Sequence, residues 1–321
     1  PKAPPAIKLD ANEAPFSWSE AARASIAAAA TSASLNRYPD GTAEALRGSI
    51  AEHLARVSDV RVPAEELLLG AGSDEDITML MTALCREGDH VVFPSPTFVM
   101  YDVSARARGL RPLAVPLRED FAFDAAAFAR ALEEHDAPLA FYATPNNPTG
   151  VAIDDVTLRE LIEAFPRTLH VIDEAYGPFD RNVNERHART RLAWTERHAN
   201  VAVMGTLSKI GLAGCRVGYL RAHLPMLLEL EKVRQPFNLS TPAMAIAGAL
   251  LDGHHEELQQ HLDALVGERA RVFDGLSERG LAPLPSRANF HLARLAAERA
   301  DMLRAQGIGV RVFGDAALAG W

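Results

Sequence analysis

The chain has 321 residues, enough for one large or two ordinary domains with cores of their own. A net charge of −9 without a Lys/Arg-rich run argues against a nucleic-acid footprint, and no apolar run reaches the roughly 18 residues of a membrane span. The two cysteines, Cys85 and Cys215, lie outside any CxxC or Cys/His cluster, so no disulfide framework or metal site is implied and a reducing, cytoplasmic setting is expected.

The opening, PKAPPAIKLDANEAPF, has no signal-peptide core. An Ala-rich helix around SIAAAATSAS follows it. From Leu67 onward, short apolar runs alternate with helical patterns. LLLG reads as a strand, and SDEDITMLMTALC as a helix with Ile77, Leu80, Met81 and Leu84 on one face. HVVFPSP is a strand, TFVMYDVSARAR a helix, RPLAVPL a strand and DAAAFARALEEH a helix. APLAFYATP is a strand, followed by the Asp-capped helix DDVTLRELIEAF. TLHVIDEAY, NVAVMGTLS and RVGYL complete the strands. This alternation predicts an α/β fold with a mostly parallel sheet and helices on both faces. The stretch from Thr241 to Gly280 is largely helical. After it, ANFHLAR, a helix and GVRVF form a small α+β unit that the N-terminal arm is expected to join. The predicted division is a large unit over 39–239 and a small one from 1–38 with 240–321.

The chemistry-bearing residues fall at the carboxyl ends of the predicted strands, where open α/β sheets bind ligands. After LLLG, Gly72 and Ser73 open a helix whose free N–H groups can hold a phosphate; a plain turn with Ser73 as helix cap is the simpler alternative. A dinucleotide loop is disfavoured, because the third glycine of G-x-G-x-x-G would fall at Glu75. After LAFYA, the turn TPNNPTG carries two asparagines, either of which can offer an amide to a ring hydroxyl. After LHVI stands Asp173, an acid costly to bury unless paired. After VAVMGT stands Lys209, one of only four lysines among 33 basic residues. A partly buried lysine can lose its proton, whereas arginine cannot, so this position calls for an amine. An amine for an aldehyde, an acid for a ring nitrogen, a donor for a ring oxygen and a cradle for a phosphate are together what pyridoxal phosphate requires.

With these residues in place, the chain resembles the fold-type I pyridoxal-phosphate aminotransferases, and among them the histidinol-phosphate aminotransferases. The resemblance runs through LDANEAPF, NRYPDG, GAGSDE, PTFVMY, TPNNPTG, IDEAY, TLSK with GLAG, RQPFN and ANFHL, and so covers nearly the whole chain. It implies that Lys209 condenses with the cofactor aldehyde and later moves the substrate proton, and that Asp173 pairs with the ring nitrogen. It gives Asn147 and Tyr176 the ring 3′-oxygen, and Phe98 a place over the ring. Gly72, Ser73, Asp74, Ser208 and Arg216 would hold the phosphate, with Tyr38 reaching the cofactor phosphate of a second subunit in a homodimer. One residue, Ile210, separates Lys209 from GLAG where the family commonly has two, so Arg216 falls one residue early. The family also places a substrate-binding arginine beyond Trp321; Arg311 is the candidate for a substrate anion within this chain.

The implied reaction is transamination between L-histidinol phosphate and 2-oxoglutarate, giving imidazole-acetol phosphate and glutamate. An aromatic aminotransferase or an amino-acid phosphate decarboxylase would share the cofactor residues. A non-enzymatic sensor on the same fold would need a DNA-binding module, for which nothing before Leu9 provides the sequence.

Overall fold

The computed structural model describes residues 5–321; the first four residues of the N-terminal arm, Lys2 among them, lie outside the described residues. The strands are β1 (Ile7–Leu9), β2 (Leu67–Gly70), β3 (His90–Ser95), β4 (Arg111–Pro116), β5 (Leu139–Ala143), β6 (Leu169–Asp173), β7 (Val201–Thr206), β8 (Gly218–Ala222) and β9 (Ile308–Val310). The helices are α1 (Glu20–Ser32), α2 (Glu44–Ser58), α3 (Ser73–Leu84), α4 (Met100–Ala107) and α5 (Ala125–His135). They continue with α6 (Asp155–Ala164), α7 (Leu224–Glu231), α8 (Thr241–Gly253), α9 (His255–Glu278) and α10 (Ala297–Ala305).

Seven strands form one sheet in the order β2-β8-β7-β6-β5-β3-β4. All neighbours are parallel except β8, which runs antiparallel to both β2 and β7. The expected mostly parallel α/β sheet is therefore present. Reversal of β8 brings its first residue, Gly218, beside the last residues of β2 and β7, Gly70 and Thr206. The same edge carries Asp173 between Ala143 and Met204. One rim thus collects every strand end that the sequence marked.

Alternation along the strands builds the two faces. Leu68, Ala202, Met204, Leu139 and Phe141 join Ile77, Leu80 and Tyr101 of α3 and α4 in one core. Leu67, Leu69, Val201 and Val203 point the other way, into a core with Ile50 of α2 and Leu250 of α8. Farther along, Val92, Ala140 and Tyr142 pack on Phe128 and Leu158 of α5 and α6. Side-chain caps fix the helix starts: Asp124 accepts from the Ala127 N–H, Asp154 from Val156 and Thr157, and Ser240 from Ala243.

Three local expectations shift. The helix at TFVMY begins only at Met100, because the Thr97 hydroxyl is taken by Asn146 Oδ1 at 2.7 Å and holds the preceding residues in a turn. The long C-terminal helical stretch breaks at His254. Ala288–Arg294 forms no strand; Leu284 and Leu292, and Leu281 and Arg294, share isolated backbone bonds in place of a ladder. The N-terminal arm does join the C-terminal segment, through the parallel pairing of β1 with β9.

Beside the rim lies a buried ion cluster. Arg191 reaches Asp155 at 2.9 Å and both Glu174 and Asp180 at 3.3 Å, while Arg287 holds Asp180 from the other side at 2.6 Å. Arg191→Met leaves Glu174 and Asp180 buried with part of their countercharge gone, and is expected to cost about 3–5 kcal/mol. Arg167→Met, at an exposed pair with Asp136, is expected to cost about 0–1 kcal/mol. Urea denaturation of the two variants checks the contrast.

Candidate active site

Lys209 lies in a single helical turn, Leu207–Ile210, directly after β7. The turn is set by the Thr206 hydroxyl, which accepts the Ser208 N–H at 3.1 Å. The lysine amine is half-buried and lies 5.4 Å from the centre of the Tyr176 ring. Burial pushes its pKa below the ordinary lysine value; the Arg216 charge adds to this, while Glu13, Asp173 and Asp74 oppose it.

Asp173 ends β6 with a buried side chain. Its Oδ2 accepts the Tyr101 hydroxyl at 2.6 Å and its Oδ1 the Ala175 N–H at 2.9 Å. Burial raises its pKa, and these two donors pull it back down. Tyr176 follows in the same segment. Its hydroxyl oxygen accepts from Asn12 Nδ2 at 3.0 Å, and burial pushes its pKa up to about 12. Phe290 stands edge-on to its ring at 5.0 Å.

The asparagine turn divides its labour. Asn146 is consumed by the fold: its Nδ2 donates to the Pro96 carbonyl and the Thr149 hydroxyl, both at 3.0 Å, and its Oδ1 accepts from Thr97. Asn147 is half-buried, and its amide makes no hydrogen bond among the described residues. That leaves the second asparagine as the one able to serve a ligand.

At the start of α3, Gly72 is the residue before the first helical turn, with φ 83° and ψ 160°, a conformation open in practice only to glycine. The simpler alternative with Ser73 as cap is therefore replaced by Gly72, and Ser73 and Asp74 occupy the first helical positions. Their N–H groups have no intrahelical acceptor. Arg216 arches over this point. Its Nη2 lies 3.2 Å from Asp74, its Nη1 3.3 Å from the Ser208 hydroxyl, and a Cβ on Gly72 would meet Nη2 at 2.5 Å. Arg216 itself is in the left-handed region, φ 51°. Free amides, a hydroxyl and a guanidinium converge there, an arrangement that suits a phosphate.

Phe98 is half-buried and edge-on to Tyr101 at 5.8 Å. Tyr38 and Arg311 share no hydrogen bond or ring contact with this group among the described residues. Tyr38 is 83% exposed and stacks on Phe237 at 4.8 Å. Arg311 is exposed just past β9, over the Phe313 ring at 5.9 Å, and makes no ion pair or hydrogen bond among the described residues. Reasoning from the sequence did not single out Asn12, which bonds Tyr176, or Tyr101, which bonds Asp173. Both lie inside quoted motifs, LDANEAPF and PTFVMY, but nothing local in those stretches reveals partners 164 and 72 residues away.

The profile of the family described as aminotransferase class I and II matches residues 4–318. The chain belongs to this family. A histidinol-phosphate aminotransferase of Cupriavidus pinatubonensis is 39% identical over 316 residues, covering 95% of this chain and 82% of the relative. One of Methylibium petroleiphilum is 39% identical over 310 residues, covering 95% and 80%. Among solved structures, the histidinol-phosphate aminotransferase of Sinorhizobium meliloti in complex with pyridoxal-5′-phosphate superposes with a TM-score of 0.85 at 27% identity, covering 98% of this chain and 84% of that one. A methionine aminotransferase of Escherichia coli, at 24% identity and a TM-score of 0.80, shares the fold.

Behind Gly72 and Ser73 of this aminotransferase lies an unexpected acid. Asp76 of α3 is fully buried, and neither carboxyl oxygen has a hydrogen-bond partner among the described residues. A Cβ on Gly218 would stand 2.6 Å from one oxygen and 2.5 Å from the Gly72 and Ser73 backbone, so only glycine fits there. Burial, reinforced by the charges of Glu75, Asp173 and Asp74, raises the Asp76 pKa well above 3.8. The folded state therefore binds this proton more tightly than the unfolded chain. Stability is lost as pH rises from the unfolded value through the folded one. Asp76→Asn should match the wild type at low pH and gain on it as pH climbs above 3.8. Urea midpoints at about pH 4 and about pH 8 test this; a gap independent of pH would mean that the carboxyl titrates alike in both states.

Proposed function

We propose that this aminotransferase uses pyridoxal phosphate to transfer the amino group of L-histidinol phosphate to 2-oxoglutarate, giving imidazole-acetol phosphate and L-glutamate. The observation that carries the reading is the half-buried Lys209 amine on the rim that also bears Asp173 and the anion cradle of Gly72, Ser208 and Arg216. The names of the relatives at 39% identity support the substrate.

The residues present fit the cofactor. The Asn147 amide and the first amides of α3 have donors to spare, the Lys209 amine has a lowered pKa, and Asp173 is a buried acid with no cationic hydrogen-bond partner among the described residues. Gly72, Ser73, Asp74, Ser208 and Arg216 would hold the phosphate, Asp173 the ring nitrogen, Asn147 and Tyr176 the 3′-oxygen, and Phe98 a face of the ring. When bound, the cofactor supplies an aldehyde that accepts the amino group and a protonated ring that holds the electron pair released at the substrate carbon. Lys209 would take the proton from that carbon and return it to the carbon that carried the cofactor aldehyde; with its pKa lowered, the amine is available as a base nearer neutral pH. Tyr176, with its hydroxyl oxygen already accepting from Asn12, has its own proton free to donate.

The assembly is part of the proposal. Tyr38, exposed and stacked on Phe237, suits a contact to the cofactor phosphate of a second copy. The division into a large unit, 39–239, and a small unit, 1–38 with 240–321, and a cytoplasmic setting belong to the same reading. None of the helices among the described residues is long and apolar enough to cross a membrane.

Borohydride reduction of the holoenzyme is expected to fix a pyridoxyl mass on the peptide bearing Lys209, and Lys209→Ala to lose both that mass and at least about 10²–10⁴-fold in turnover. The mass on another peptide, or turnover surviving in the variant, overturns the role. L-histidinol phosphate should outperform phenylalanine as amino donor, and threonine phosphate should not lose carbon dioxide; either competitor reacting faster overturns the substrate assignment.

A further inference from the structure

The roles above leave one buried polar group unused. Tyr101 of α4 is fully buried, stacked on Phe141 at 4.7 Å and 12° and touched edge-on by Phe98 at 5.8 Å and 86°. Phenylalanine would fill the same slot without a hydroxyl to desolvate. The hydroxyl has a single partner among the described residues, Asp173 Oδ2 at 2.6 Å. The other carboxyl oxygen is taken by the Ala175 N–H. Donors thus grip the carboxyl from both sides, one from its own strand end and one from a helix 72 residues earlier. Hydrogen bonds to a charged acceptor are about twice as strong as neutral ones and fix its orientation. Of the charges that face Asp173, Lys209 favours the anion and Asp74 opposes it, with Asp76 also close by. Tyr101 is the neutral side-chain donor in that set.

We propose that Tyr101 is a positioning residue of the transamination: its hydroxyl holds the Asp173 carboxylate in register with the cofactor ring nitrogen, and its ring fixes the Phe98 plate. One side chain then sets both the in-plane partner of the bound ring and one of its faces. The inference rests on the reading of Asp173 as the partner of the ring nitrogen.

The test uses holoenzyme loaded with pyridoxal phosphate carrying ¹⁵N in the ring. In Tyr101→Phe the carboxylate loses a donor and competes harder for the shared proton, so the ring-nitrogen resonance should move toward its unprotonated position. The dissociation constant of the cofactor should rise about tenfold. In an Asp173→Asn background, Tyr101→Phe should add no further loss, because the hydroxyl acts through the carboxylate. A resonance that moves in Asp173→Asn but not in Tyr101→Phe overturns the proposal and leaves the reading of Asp173 standing. A resonance unmoved in Asp173→Asn overturns that reading and the proposal with it. Additive losses in the double variant also overturn the proposal, since a merely structural tyrosine would give them. Should Tyr101→Phe not fold, 3-fluorotyrosine at position 101 keeps the shape and the hydroxyl. Its ¹⁹F resonance should move on loading with cofactor, and less so in Asp173→Asn; equal movement in both overturns the proposal.

Discussion

A carboxylate at the end of a fully buried strand is expensive to keep charged, and the surroundings of Asp173 are organised around that cost. Two donors, Tyr101 and Ala175, meet its oxygens, and a lysine lies near enough to favour its charge. The next residue, Glu174, faces the same problem and solves it differently. Its side chain is buried among Thr190, the Arg191 N–H and the Arg191 guanidinium. Adjacent acids therefore diverge. Glu174 is paired inside the protein, whereas Asp173 keeps hydrogen-bond donors but, among the described residues, no guanidinium. An acid gripped yet without a cationic hydrogen-bond partner there is suited to a cation that arrives with a ligand.

The start of α3 shows how backbone conformation aims a side chain. The resemblance read from the sequence implied a segment one residue short after Lys209, with Arg216 displaced accordingly. Instead the chain turns through Gly211 at φ 104° and places Arg216 itself at φ 51°. This left-handed residue, strained by about 1–2 kcal/mol for a side chain with a Cβ, swings the guanidinium back over Gly72. The arginine bonds Ser208 and Asp74 at once. Gly72 in turn has no Cβ to obstruct it. Backbone conformation at Gly72, Gly211 and Arg216 thus brings charged and polar groups together at this point.

Much of this was legible in the chain. The strands announced themselves as apolar runs, and their ends as Gly72, the asparagine pair of TPNNPTG, Asp173 and Lys209, because ligand-binding rims place polar residues where apolar runs stop. What stayed hidden depends on pairing across distance. Whether Asn146 or Asn147 is free is decided by Thr97 and Pro96 on another loop. Tyr101 looks like one more apolar position on a helix until β6 puts Asp173 opposite it. Asp76 reads as an ordinary acid in a first turn, yet Gly70 and Gly218 open a space that takes its carboxyl inside. Arg311, by contrast, was the sequence's candidate for a substrate anion; it lies exposed just past β9, against the Phe313 ring.

The scarcity of lysine gives the final step. Arginine would satisfy the same field of Glu13, Asp173 and Asp74 with a permanent charge, and the rim would then be closed as an ion cluster like that around Arg191. Lysine leaves the field open to adjustment. Burial and Arg216 push its proton off, and the three carboxylates pull it on. The balance lowers its pKa, so the amine gives up its proton more readily than an ordinary lysine does. The position of Arg216 has two effects: it places positive charge over the free amides of α3, where an anion would be favoured, and by the same field it lowers the proton affinity of Lys209.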